Sequence, residues 1–179
     1  MNEYIENFLG NCNIGDSLDL VLGEKSVTAT AVLRGNVGGR PTVTFIFDEY
    51  IDFGAFREVP ELLEIDFDLL PEDLRNICVD FRLPTASEVF SAIPDDWNDM
   101  RDWGARRQGN QIPWFLDIEH RKCDNYCWLD TYLPSATAVE GAPCYAAITS
   151  DGYAGGDTED TVNAIRPMFT LVVGRRIRR

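Results

Sequence analysis

The first 47 residues constrain the fold most, because they alternate strand-like runs with turn residues. Residues 18–22, 27–33 and 41–47 are short runs rich in β-branched or alternating apolar side chains, which is typical of half-buried strands. Residues 23–26 and 35–39 separate these runs and are typical of hairpin turns. The glycine-rich second turn lacks the following helix and the Lys-Ser/Thr pair of a phosphate-binding loop. The chain therefore opens with a predicted antiparallel meander.

Short helices and further strands are predicted along the rest of the chain. Thr85 and Glu88 match the Ser/Thr-x-x-Glu capping box, which places a helix start at about residue 86. Pro71 is followed by two acids and predicts another helix start, since proline and acidic side chains favour the first turn. The remaining predictions are a helix over residues 2–10, strands at 77–81, 113–118, 126–133, 143–149 and 168–173, and a loop over 153–161.

These elements together predict an α+β fold. We expect a single compact domain over residues 1–179, with one or more twisted antiparallel sheets, two or three short helices and long loops. Within this domain, residues 1–12 are predicted to form an N-terminal helix, 13–174 the core and 175–179 a basic tail. Hydrophobic residues make up 45% of the chain, which is enough for a core and argues against intrinsic disorder.

Composition excludes several classes of protein. No apolar stretch approaches the roughly 18 residues of a membrane span, and the first residues lack the basic and apolar regions of a secretory signal. The single histidine, His120, excludes metal cages built from several histidines. The cysteines number five, and this odd count favours a reducing compartment.

The negative charge is concentrated in one part of the chain. The net charge is −14, and residues 1–100 hold 20 acidic against 6 basic residues. A broad basic surface for nucleic acid is therefore excluded, because phosphate binding requires lysine and arginine. The excess peaks in residues 48–73, which we call the acidic segment. Its carboxylates are Asp48, Glu49, Asp52, Glu58, Glu61, Glu64, Asp66, Asp68, Glu72 and Asp73.

The acidic segment has three interpretations. A highly charged surface keeps a protein soluble and clear of nucleic acid. A run of carboxylates is also suited to a basic surface on a partner protein, including a groove that otherwise binds nucleic acid. Calcium binding is the third interpretation, but only Asp66-Phe67-Asp68 matches a fragment of the regular spacing of a calcium loop. We expect no metal site here.

The cysteines allow zinc, a disulfide or plain thiols. His120-x-x-Cys123-x-x-x-Cys127, with Cys144 downstream, contains the ligand types of a zinc site. The spacing is irregular, and in a strand Cys123 and Cys127 lie about 13 Å apart. A disulfide between Cys123 and Cys127 is a further alternative. We expect buried or half-buried thiols and no metal cofactor.

A second candidate surface combines tryptophan with arginine in a polar loop. Its residues are Trp97, Arg101, Trp103, Arg106 and Arg107. Arginine and tryptophan are typical of binding hot spots, but tryptophans also anchor long loops to a core. Arg166 precedes Pro167 and is predicted to be structural, its guanidinium holding loop carbonyls or a carboxylate. Paired carboxylates are expected by chance among 30 acids, so we predict no catalytic residue.

Four motifs in order give a resemblance to a known family. They are Ile14-Gly15-Asp16; Arg82-Leu83-Pro84-Thr85 with Glu88; Tyr126-Cys127-Trp128-Leu129; and residues 146–152 followed by Ile165-Arg166-Pro167. This set resembles a domain family of bacterial and phage proteins related to the formylglycine-generating-enzyme-like superfamily, which has a C-type-lectin-like fold. The resemblance implies irregular loops over a twisted antiparallel core, with protein or sugar binding on the loops. Asp130 stands where the family usually has arginine, and the paired active-site cysteines are missing, so oxidase activity is not implied.

These observations favour a non-enzymatic acidic interaction protein. We expect a phage or mobile-element protein in the cytoplasm of a bacterial host. It would inhibit a nucleic-acid-binding enzyme by occupying its basic surface, in the manner of an anti-CRISPR protein. The alternative is a lectin-like module that binds a sugar or surface ligand through loops 95–125 and 150–165. Neither hypothesis requires a cofactor, a membrane or direct contact with nucleic acid.

Overall fold

The computed structural model describes residues 3–50, 65, 67–90, 110–122, 124–132, 144–158, 161 and 163–174. Within these residues the fold is α+β, with eight strands in two antiparallel sheets and three short α-helices. The predicted fold class is confirmed. The C-type-lectin-like identity stays a prediction, and the basic tail at 175–179 lies outside the described residues.

The elements follow one another as helices and strands of 4 to 13 residues. They are α1 Glu3–Asn11, β1 Ser17–Leu22, β2 Lys25–Val37, β3 Arg40–Phe47, α2 Glu72–Arg75, β4 Cys78–Arg82, α3 Ala86–Phe90, β5 Cys127–Tyr132, β6 Cys144–Ile148, β7 Ala154–Thr158 and β8 Met168–Val172. Three short 3₁₀ helices occupy Phe67–Leu69, Pro113–Leu116 and Ile118–His120.

The chain divides into two compact units. Unit 1 comprises Met1–Glu49, Ile65–Arg82 and Pro167–Arg179, and unit 2 comprises Tyr50–Glu64 and Leu83–Arg166. In the sequence, the segments of unit 1 flank those of unit 2, and Ile65–Arg82 of unit 1 separates the two segments of unit 2. The sequence prediction of one domain over residues 1–179 stays a prediction.

Unit 1 is built on a five-stranded sheet in the order β1-β2-β3-β8-β4. The predicted meander is confirmed, since β1, β2 and β3 pair in succession as antiparallel neighbours. The late strand β8 then inserts between β3 and β4, with Phe45 opposite Phe169 and Phe169 opposite Phe81. Because residues opposite one another in neighbouring strands share a face, this register places three phenylalanines side by side.

The core of unit 1 is an aromatic cluster centred on Phe169. Its ring lies 5.3 Å from Phe45, 5.2 Å from Phe47 and 6.4 Å from Phe81, measured between centroids. Phe8 of α1 extends the cluster with a ring 6.2 Å from Phe45. On the opposite face the hydroxyls of Thr44 and Thr170 are 2.9 Å apart and form a buried hydrogen bond. Such cross-strand pairs fix the register of β3 against β8.

Unit 2 combines α3 with the three-stranded sheet β5-β6-β7. The predicted capping box is confirmed, because α3 begins at Ala86 and the two capping residues bond reciprocally. Thr85 N donates to Glu88 Oε2 (2.8 Å), and Glu88 N donates to Thr85 Oγ1 (3.3 Å). The Ala86 N–H donates to Thr131 Oγ1 (2.8 Å), which ties the helix start to β5. Trp128 of β5 is fully buried.

Two predictions about unit 2 were wrong. Residues 113–118 were expected to form a strand, but they form turns of 3₁₀ helix. Pro113 lies in the first turn, and Asp117 caps the next turn by accepting from Glu119 N (3.0 Å). Residues 153–161 were expected to form a loop, but β7 pairs with β6 over Ala154–Thr158. Among the described residues, none of the helices combines the length and apolar character that a membrane crossing requires.

Candidate functional site

The carboxylates of the acidic segment that the structure describes are all exposed. They are Asp48, Glu49, Asp68, Glu72 and Asp73. Asp48 accepts a hydrogen bond of 2.5 Å from Thr30 Oγ1, and Asp68 pairs with Arg75. The other predicted members, Asp52, Glu58, Glu61, Glu64 and Asp66, lie outside the described residues.

Strand register places Asp48 and Ile77, the residue that follows the turn after α2, toward different ends of the sheet of unit 1. Asp48 follows Phe47, whose N–H donates to Pro167 O (3.3 Å) just before β8 begins. At the other end, Val172 pairs with Thr42 and donates to Ile77 O (2.9 Å), two residues after α2. Positions 42 and 48 are six residue steps apart, which corresponds to about 20 Å along a strand. Asp48 therefore follows one end of β3, and Ile77, which follows α2, bonds near the other end.

The second predicted surface is not described by the structure. Trp97, Arg101, Trp103, Arg106 and Arg107 all lie in residues 91–109, outside the described residues. Their grouping as a binding surface stays a prediction, as does the lectin-like alternative that depends on it.

The cysteines agree with the prediction of buried thiols where the structure describes them. Cys12, Cys78 and Cys127 are buried, and the alternative of a Cys123–Cys127 disulfide stays a prediction. Cys123 lies outside the described residues. Within the described part of the chain, no group of three or more histidine, cysteine or acidic side chains is placed to hold a metal ion.

The thiol of Cys78 predicts a loss of stability at alkaline pH. Burial raises its pKa above the ordinary value of 9.0, although the thiol donates to Asp80 O at 3.2 Å. Below pH 9 both the folded and the unfolded state keep the thiol protonated. Above pH 9 the unfolded state ionises first, so the free energy of unfolding falls until the folded thiol also ionises, with a slope of at most about 1.4 kcal/mol per pH unit.

Urea unfolding between pH 8 and pH 10.5 measures this slope. Cys78→Ala is expected to flatten it relative to the unchanged protein, while the exposed neighbouring variant Val79→Ala retains it. Burial also raises the pKa of Cys12, so part of the slope should survive in Cys78→Ala. Identical slopes in the unchanged protein and Cys78→Ala would contradict the assignment.

Of the arginines that the structure describes in unit 2, Arg121 and Arg166 are buried, and their surroundings differ. Arg166 is 5% exposed and donates through Nη1 to His120 O (2.8 Å), which confirms the prediction that it holds a loop carbonyl. The His120 ring stacks on Trp114 with centroids 3.7 Å apart and planes 3° apart. His120 Nδ1 also lies 2.8 Å from Trp114 O. These contacts of Arg166, His120 and Trp114 therefore hold the three residues in place.

Arg121 has no such arrangement. It is 4% exposed, and its guanidinium carbon lies 5.3 Å from the centroid of the Phe90 ring. Its Nε is enclosed and has no acceptor among the residues that the structure describes. Burial lowers the pKa of Arg121, and the nearby Tyr153 and Asp117 oppose this effect. Sequence reasoning missed this residue, because nothing in its local pattern signals burial.

The turn between β6 and β7 packs closely on the segment that carries Arg121. A Cβ atom at Gly152 would lie 2.8 Å from Ile118 O and 3.3 Å from Lys122 Cγ. Gly152 also has a φ of +83°, which favours glycine. This contact fixes the position of Tyr153, which is 50% exposed beside the turn.

Comparison with protein-family models, with curated proteins and with solved structures finds no match for the chain. The resemblance to the formylglycine-generating-enzyme-like superfamily therefore stays a prediction.

Proposed function

We propose that this chain is a non-enzymatic protein that binds the basic surface of another protein through carboxylates of unit 1. The observation that carries the proposal is the exposure of these acids. The described residues of unit 1 include eleven carboxylates, none of which is buried, against five lysine and arginine side chains. Exposed excess charge of one sign steers an oppositely charged partner toward the surface at low salt.

The described part of unit 1 contains six more acidic than basic side chains. Arg34 donates to Cys12 O, and Arg40 donates to Gly174 O at 3.4 Å. Arg75 forms an ion pair with Asp68, and Arg82 forms one with Asp80. The surface therefore retains a net negative charge, which is the property that a basic partner would recognise.

The spacing of the acids supports an extended basic surface as the target. Asp48 and Glu49 follow one end of β3, whereas α2 with Glu72 and Asp73 precedes Ile77, which bonds near the other end. Acids spread over a surface in this way match a partner that presents cations along a groove. A groove that binds nucleic acid has this property, because it neutralises a line of phosphates. We therefore propose an inhibitor of a nucleic-acid-binding enzyme that competes with nucleic acid, of the anti-CRISPR type.

The test is capture of a partner from a bacterial lysate, followed by charge reversal. The immobilised protein is expected to retain a basic nucleic-acid-binding protein at low salt and to release it on addition of high salt or DNA. Affinity is then measured for the purified partner. Glu72→Lys/Asp73→Lys is expected to weaken low-salt binding about tenfold or more, since each reversal replaces an attraction by a repulsion.

A matched control separates the site from net charge. Asp124→Lys/Asp130→Lys makes the same change in net charge at exposed positions of unit 2. We expect it to weaken binding less than the α2 variant does. Equal losses in both variants, or unchanged affinity in Glu72→Lys/Asp73→Lys at low salt, would overturn the proposal.

A further inference from the structure

Unit 2 contains a buried cation that forms no ion pair with a described carboxylate. Arg121 is 4% exposed, yet no described carboxylate forms an ion pair with it. Moving a charged group out of water costs several kcal/mol unless partners replace the lost hydration. An arginine kept in such a place therefore needs a compensating anion or an equivalent set of acceptors.

The nearby acids are engaged with other donors. Asp117 Oδ1 accepts from Glu119 N at 3.0 Å, and Glu119 Oε1 accepts from Lys122 Nζ at 2.6 Å. Arg166, the other buried arginine of unit 2, bonds a carbonyl oxygen through Nη1. Arg121 differs from it in having an enclosed Nε with no acceptor in the described part of the chain.

The packing leaves a second unmatched polar atom beside α3. Gln111 is 3% exposed, and its Nε2 donates to Val89 O at 3.0 Å. Its Oε1 is enclosed without a donor among the described residues. The two side chains with an unmatched atom, Arg121 and Gln111, thus contact Phe90 and Val89, which are consecutive residues of α3. This part of unit 2 contains one buried donor and one buried acceptor that have no partner among the described residues.

We propose that Arg121 is the anchor of a binding site for a small oxyanion, a carboxylate or a phosphate group. The Phe90 ring lies beside the guanidinium of Arg121. Electrostatic attraction to a guanidinium is stronger where water is excluded. The planar fork of a guanidinium matches two oxygens of a carboxylate or phosphate. The oxyanion would supply the acceptor that Nε lacks.

The experiment is thermal unfolding of the full chain with phosphate, with acetate or with chloride at matched ionic strength. We expect phosphate or acetate to raise the melting temperature by about 3 °C or more at saturation relative to chloride. The anion that gives the larger rise identifies the oxyanion class. Equal melting temperatures in all three salts would overturn the proposal and leave Nε with a bound water at most.

Two variants at Arg121 and one control make the test specific. Arg121→Met keeps the length of the side chain and removes the charge, so without anion it is expected to melt at or above the temperature of the unchanged protein. It should show no anion-dependent rise. Arg121→Lys retains a charge but loses the fork, and calorimetric titration should show at least about tenfold weaker anion binding.

Lys122→Gln is the control, because it removes an exposed cation one residue away. It is expected to keep the full anion-dependent rise. A rise that persists in Arg121→Met, or that disappears equally in Lys122→Gln, would show general charge screening and overturn the site. If Arg121→Met does not fold, the titration of Arg121→Lys decides alone, and undiminished binding would overturn the proposal.

Discussion

Replacing Phe169 with alanine is expected to lower the free energy of unfolding of unit 1 by about 3–5 kcal/mol. The ring is fully buried and contacts Phe45 and Phe47 of β3 and Phe81 of β4, the two strands on either side of β8. Its removal leaves a cavity that these strands cannot close while their hydrogen-bonded register is maintained. Urea unfolding followed by circular dichroism measures the loss.

Phe67→Ala is the matched control for this prediction. Phe67 is 41% exposed, and its ring contacts that of Phe81 at 5.9 Å. We expect it to cost about 1 kcal/mol, because a half-exposed ring loses less apolar burial. Equal costs for Phe67→Ala and Phe169→Ala would show that the aromatic cluster is not centred on Phe169.

Replacing Gly152 with alanine is expected to destabilise unit 2 by about 2–4 kcal/mol. Two independent costs add here. The φ of +83° disfavours any side chain, and the new Cβ would approach Ile118 O to 2.8 Å. A backbone atom cannot swing away as a flexible side chain does, so the turn itself must shift.

Gly23→Ala separates the two costs. Gly23 has a φ of +63°, and a Cβ there would meet nothing within 4 Å. Only the backbone cost of about 1 kcal/mol is expected. Denaturant unfolding of both variants gives the comparison, and a Gly152→Ala cost no larger than that of Gly23→Ala would mean that the packing against Ile118 is unimportant.

Local sequence patterns predicted the structural elements that are determined by residues close together in the sequence. The meander of β1, β2 and β3 follows from runs of strand-forming residues separated by turns, and α3 starts where Thr85 and Glu88 place it. Arg166 was predicted as a structural arginine from its position before Pro167, and it bonds His120 O. In each case the residues that allowed the prediction lie close to one another in the sequence.

One strand that depends on its pairing partner, β7, was missed. β7 contains Gly155 and Gly156, which disfavour a strand, but they pair with Ala147 and Ala146 of β6. A Cβ at Gly155 would lie 2.9 Å from Thr149 Cγ2, so the small residue suits the close packing. Propensity alone could not reveal this partner strand.

The candidate site, like the fold, could be predicted from the sequence only in part. Composition predicted that the acids would be numerous, and the exposure of the described ones follows from their charge. Their arrangement was not predictable, because it depends on the pairing of β3 with β8, two strands that are far apart in the sequence. Arg121 was missed since its burial results from packing with α3 and the β6–β7 turn.

The insertion of β8 between β3 and β4 has a consequence for biosynthesis. The hydroxyl pair of Thr44 and Thr170 joins residues 126 positions apart, so the sheet of unit 1 cannot close until residues 168–172 leave the ribosome. Until then β3 remains an open edge that exposes Phe45 and Phe47. Such edges associate with other chains, and long loops close slowly. Rapid synthesis and docking of β8 is therefore expected to limit aggregation of the nascent chain.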